Sequence, residues 1–124
     1  MIFAARALIG LVVLFNLTLG AGFLFDPAKS AAMFFLTPEG AQGLATLRAD
    51  FSSFFLIAAG FAGYGAWKQV APPLLVPICL FSIAILGRTL GLVMDGVTPT
   101  AFTPMIAEAV MIGILMLGWR SFGK

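Results

Sequence analysis

Polar and apolar residues along this chain come in blocks. Four long apolar runs, over residues 7–25, 49–67, 70–94 and 105–119, are separated by short polar segments that carry proline or glycine. An α-helix needs about 20 apolar residues to cross a hydrocarbon layer roughly 30 Å thick. No stretch shows the two-residue alternation of a half-buried strand. The pattern predicts a single all-α domain: an integral membrane four-helix bundle, with a short interfacial helix between the first two spans.

The punctuation between the runs gives the same picture. Asp26 and Pro27 end the first run, because the residue before a proline is pushed out of helical geometry. The same pair predicts a short helix over 27–36, capped by Asp26 with proline in its first turn. Met33, Phe34, Phe35 and Leu36 give that segment an apolar surface suited to the interface or to the side of the bundle. Thr37, Pro38 and Glu39 form a second start signal, from which a helix continues through Arg48 into the second span. Lys68 and Gln69 predict a tight turn. Pro72 and Pro73 open the third span, and the deeper Pro77 predicts a kink. Asp95 and Gly96 close it, with glycine where positive φ is usual. Thr103 and Pro104 start a fourth span that is short unless tilted or extended into Arg120. Arg6 ahead of an apolar run has the look of a signal peptide. The run continues to Phe25 without a clear small-x-small cleavage site, so a retained span is expected.

Composition narrows the function classes. The chain is 61% hydrophobic and 10% charged, against about 25% charged in soluble domains. Seven basic and five acidic residues form no cluster, which argues against nucleic acid as a partner. The single cysteine, Cys79, and the absence of histidine leave no internal disulfide, no Cys-x-x-C pair and no common zinc, haem or imidazole-base arrangement. Ser52, Ser53 and Ser82 have no base within a recognisable motif, and no phosphate-binding glycine loop is present. No catalysis and no cofactor are evident, which leaves room for a bound lipid or quinone. The expected partners are membrane lipids and either a larger membrane complex or a second copy of the chain.

Four spans put both termini on one side. Arg6, Lys68, Arg120 and Lys124 fall there, against Lys29 and Arg48 on the other, so lysine and arginine counting predicts cytoplasmic termini. Trp67 and Trp119 fall at the same boundary, where indoles anchor to head groups. Small residues recur at four-residue spacing: Ala58, Ala62 and Ala66 in the second span, Gly87 and Gly91 in the third, Ala109 and Gly113 in the fourth. Such rows let helix backbones approach closely, within one bundle or, in the other reading, between copies.

Three ionisable residues lie within the spans. Asp50 is ~3 Å, Glu108 ~6–8 Å and Arg88 ~10 Å from the same predicted membrane face, at 1.5 Å per residue. An ionised side chain at the centre of a span costs roughly 2.5–3.5 kcal/mol on the permissive insertion scale, so such groups pair with one another. The planar fork of Arg88 suits a carboxylate. Glu108 matches it best in depth and Asp50 next. The predicted network is an Arg88–Glu108 pair with Asp50, Arg48 and Asp95 around it, the last two at the rim. Such a network fixes helix register, or it receives a polar head group or quinone-like ring. A proton or ion path lacks a matching relay in the other half of the spans. Asn16, in the first span, is expected to hydrogen-bond a neighbouring helix. The phenylalanines of the second span, Phe51, Phe54, Phe55 and Phe61, are expected to pack.

These residues carry a resemblance. Leu47, Arg48, Ala49, Asp50 and Phe51 with Phe54 and Phe55, then Gly87 and Arg88 leading to Asp95 and Gly96, then Pro104, Met105, Glu108 and Ala109, resemble an uncharacterised bacterial family of small four-span membrane proteins. That family is distantly DoxX-like. The resemblance implies a four-helix bundle of the bacterial inner membrane with a shared polar site, and no established activity. The wider superfamily includes subunits of quinone-linked oxidoreductases, which implies quinone proximity. Its thiol chemistry uses cysteine pairs, and Cys79 alone does not supply one. Two other four-span classes fit poorly. Small multidrug transporters need an acid in the first span, where this chain has Asn16. Fluoride channels use a glycine- and asparagine-rich pattern that is absent.

Overall fold

The computed structural model describes residues 1–122; Lys124, counted above with the cytoplasmic charges, lies outside the described residues. Helices α1 (Ile2–Phe25), α3 (Gly40–Lys68), α4 (Pro72–Asp95) and α5 (Phe102–Phe122) are long and apolar enough to cross a membrane. A short helix α2 (Pro27–Met33) joins the first two, and no strand occurs among the described residues. This all-α, four-helix architecture is that of a small integral membrane protein.

The helix ends depart from expectation where local chemistry differs. Helix α1 starts at Ile2 rather than residue 7, because Arg6 does not interrupt it. Asp26 stands at the N-cap of α2 but its side chain makes no capping hydrogen bond. That helix stops at Met33, where the Phe34 and Leu36 N–H groups both donate to the Ala31 carbonyl and Phe35 takes φ +61°. Helix α3 begins at Gly40, after the N-cap Glu39, so Thr37 and Pro38 precede the helix. In α4, Pro72–Leu74 wind as a 3-10 turn before the α-helix begins at Leu75. Pro77 therefore sits in the first α-helical turn, where a missing N–H is tolerated. Gly96 ends α4 at φ +100°. Helix α5 takes in Thr103 and Pro104 as its first turn.

Helices α1 and α3 form the antiparallel centre. Ala5, Ile9 and Val12 of α1 and Ala58, Ala62 and Ala66 of α3 belong to one buried core. At the end of the bundle that carries the termini, Leu74 is fully buried and wedged against glycines of two other helices. A Cβ on Gly65 would stand 2.6 Å from Leu74 Cδ2, and one on Gly118 would stand 2.5 Å from Ile9 Cδ1 and 3.1 Å from Leu74 Cδ1. All four spanning helices meet there with no space for a methyl group.

Two arginines tie α1 and α3 at opposite ends. Arg6 Nε donates to the Ala66 carbonyl at 3.0 Å, and Arg48 Nε donates to the Leu24 carbonyl at 2.8 Å. Each guanidinium reaches a carbonyl in its partner's last turn, where carbonyls lack intrahelical donors and cations suit the helix dipole.

Helix α4 is held differently. Beyond Phe81 it has no buried residue, and Leu86, Leu90, Val93 and Met94 are exposed. The small-residue rows divide accordingly. Ala58, Ala62 and Ala66 are buried against α1, whereas Gly87 and Gly113 have open space where a Cβ would stand.

Candidate ligand-binding site

Beside the later part of α4, which carries no buried residue, lies a cavity of about 370 Å³. Each helix contributes a stripe at helical spacing: Phe15 and Leu19 from α1, Asp50, Phe51, Phe54 and Phe55 from α3, Phe81, Ala84 and Arg88 from α4, and Pro104, Ala107, Glu108 and Met111 from α5. Phe34, just past α2, completes the wall. The volume lies within the range of roughly 300–1,000 Å³ typical of small-molecule sites, which also combine apolar walls with a few polar groups.

The apolar wall is aromatic. Phe23 is fully buried behind it, with ring centroids 5.0 Å from Phe51, 5.4 Å from Phe34 and 5.9 Å from Phe55. Phe54 bridges edge-on to Phe55 at 5.0 Å and to Phe81 at 6.0 Å. These contacts fix the ring positions and leave the cavity preformed. Three of the four phenylalanines expected only to pack therefore also line a cavity; Phe61 is exposed away from it.

The polar wall centres on Arg88. Its Nε donates to both carboxylate oxygens of Glu108, at 3.0 and 3.1 Å, which is the one ion pair among the described residues. Glu108 is nearly enclosed, with 9% of its side chain exposed, whereas Arg88 keeps 36%. The pairing uses Nε rather than the outer fork, so neither Nη amine has a protein acceptor among the described residues. Asp50 shares the cavity with this pair and makes no ion pair among the described residues.

Asp50 stands on an unusual segment. Leu47–Phe51 is wound as a π-helix inside α3, a feature that frequently marks functional sites. The Ser52 hydroxyl donates to the Arg48 carbonyl and the Ser53 hydroxyl to the Ala49 carbonyl. Both serines are thus engaged in back-bonding, which bends helices. The widened turn coincides with the Leu-Arg-Ala-Asp-Phe block that carried the resemblance.

The other expected site residues fall elsewhere. Arg48 caps α1 as described and does not line the cavity. Asp95 is exposed at the end of α4, also off the cavity wall. Asn16 is fully buried, with Nδ2 donating to the Val12 carbonyl at 2.8 Å and to Met111 Sδ of α5 at 3.4 Å. It does not line the cavity itself, although its partner Met111 does.

Comparison with models of protein families, with curated proteins and with solved structures finds no match. The DoxX-like resemblance thus has no support beyond the residues that suggested it. The functional reading rests on the cavity.

Proposed function

We propose that this protein binds an amphipathic molecule of the membrane, whether lipid, isoprenoid or quinone, and performs no catalysis of its own. Its polar end would meet Arg88 and Asp50 and its apolar part the phenylalanine wall. One observation carries the reading: an aromatic cavity opens beside an arginine whose outer donors have no protein acceptor. A network serving register alone would be expected to close over its charges, because each unpaired donor away from water is costly. Native mass spectrometry after gentle extraction tests it. Retention of a small amphiphile by the wild type, and its loss in Ala84→Phe, which fills the cavity, is the expected result. A bare wild-type chain would sink the reading.

A second reading, an accessory subunit of a larger and possibly redox membrane complex or a homo-oligomer, draws on one feature. Gly87 and Gly113 present open backbone on the outer faces of α4 and α5, as helix-docking surfaces do. A retained protein mass in the same spectra would favour it. For orientation, the lysine and arginine distribution supports cytoplasmic termini, with the cavity in the outer leaflet. Thiol labelling of Lys68→Cys in a Cys79→Ser background tests this; labelling from the outer side reverses it.

A further inference from the structure

The charges around the cavity narrow the polar head beyond "amphipathic". Glu108 balances Arg88 through Nε, so one cation already has its anion. The two Nη amines still present four N–H donors without a protein acceptor among the described residues. Asp50, an exposed residue that lines the same cavity, presents a carboxylate with no cationic partner among the described residues. The cavity lining thus offers both donors without acceptors and an anion without a cation.

Each simple head group leaves one of these unmet. An anionic head would engage Arg88 but face the like charges of Asp50 and Glu108. A cationic head would pair with Asp50 and leave the guanidinium donors idle. A neutral ring carbonyl would accept from Arg88 without balancing Asp50. Resting on the amphiphile-binding reading, we infer that the site selects a zwitterionic lipid head, in which a phosphate oxygen accepts from Arg88 and a primary ammonium donates to Asp50. The resulting order (Glu108 carboxylate, Arg88 guanidinium, phosphate, ammonium, Asp50 carboxylate) places every charge beside its opposite. A primary ammonium has three donors for the carboxylate; a trimethylated one has none. The site therefore distinguishes phosphoethanolamine from phosphocholine heads as well as from phosphoglycerol. With about 370 Å³ available, the cavity takes the head and the start of one chain, and the rest lies along the exposed apolar face of α4.

The test uses the full chain in vesicles made of equal parts phosphatidylethanolamine, phosphatidylcholine and phosphatidylglycerol with matched acyl chains. After gentle extraction, retained lipid is read by native mass spectrometry. Phosphatidylethanolamine should exceed each of the others by about tenfold, a factor within reach of one charge-assisted hydrogen bond. Asp50→Asn should erase the preference over phosphatidylcholine while total bound lipid persists. Arg88→Gln/Glu108→Gln, which removes the pair without stranding one charge, should lower retention of all three. Equal retention of the three lipids by the wild type, or an unchanged preference in Asp50→Asn, overturns the zwitterion assignment and leaves amphiphile binding standing. A wild type that retains none of the three also overturns the zwitterion assignment, and one that is bare after extraction from its own membrane as well overturns amphiphile binding.

Discussion

The two ends of this bundle solve opposite problems. At the end with the termini, Leu74 and Ile9 press against Gly65 and Gly118 so closely that a methyl group has no place. At the other end, α4 buries nothing beyond Phe81, and a cavity remains that is lined by phenylalanines and one ion pair. Within a membrane, apolar burial does not drive helices together, so close backbone approach must supply the association. The closed end does this with glycine. Toward the open end Gly20 still packs α1 closely against Leu56 of α3, but α4 has no such contact there and relies on the Arg88–Glu108 pair. Stability and accessibility have been placed at different depths of one small molecule.

The largest effect should come from breaking the tie at the open end. Arg88→Ala and Glu108→Ala should each cost about 3 kcal/mol, the lower part of the range for stranding one member of a buried pair, since Arg88 keeps access to the cavity. The double variant Arg88→Leu/Glu108→Leu should return close to the wild type, as measured by thermal unfolding in detergent. Additive losses in the single variants would mean that the pair does not hold α4.

Next in size is the contrast between overfilling the two ends. Gly118→Val at the closed end should cost roughly 1–3 kcal/mol, as inserted methyl groups do in tight packing. Ala84→Phe, directed into the cavity, should cost less than about 1 kcal/mol because space is present to receive it. Equal losses, read from the same unfolding curves, would erase the distinction between the ends. Smaller still, Arg48→Leu should cost about 1 kcal/mol, the net worth of a hydrogen bond to a helix-end carbonyl. A loss several times larger would place Arg48 in the polar site after all.

The smallest change is a gain. Gly113→Ala, with no packing neighbour within 4 Å of the added methyl beyond its own stretch of helix backbone, should stabilise the isolated protein by roughly 0.5–1 kcal/mol through reduced backbone freedom. A loss, together with a fall in oligomeric mass by light scattering, would show that a protein surface covers this face.

Much of this architecture was legible before the structure. The four spans follow from apolar run length. The partnership of Arg88 with Glu108 follows from their matching depths on different helices. What escaped reading depends on groups with no sequence signature. Arg6 was read as a surface charge and Arg48 as part of the rim of the polar network, yet each bonds to a main-chain carbonyl of another helix, and every residue has one. The π-helical turn at Leu47–Phe51 is not encoded by a proline or glycine; the serine pair that follows, Ser52 and Ser53, is its only visible correlate. The cavity is the absence of contact along α4, and an apolar stripe reads the same whether it meets a neighbour, a lipid or a void. The phenylalanines were for that reason read as packing alone.

The reciprocal arginine caps have one more consequence. Leu24 lies 18 residues beyond Arg6 on α1, and Ala66 lies 18 beyond Arg48 on α3. At 1.5 Å per residue both intervals are about 27 Å, close to the hydrocarbon thickness of a thin bilayer. Two guanidinium groups, each fixed to main chain, would on this spacing stand at the levels where hydrocarbon gives way to head groups. A lone span answers hydrophobic mismatch by tilting, but this pair cannot slide to lengthen or shorten without giving up one of its caps. Such a fixed spacing would act as a gauge of bilayer thickness. In vesicles whose acyl chains are lengthened stepwise, its melting temperature should pass through a maximum where the membrane matches that gauge. Arg6→Leu/Arg48→Leu should flatten the curve.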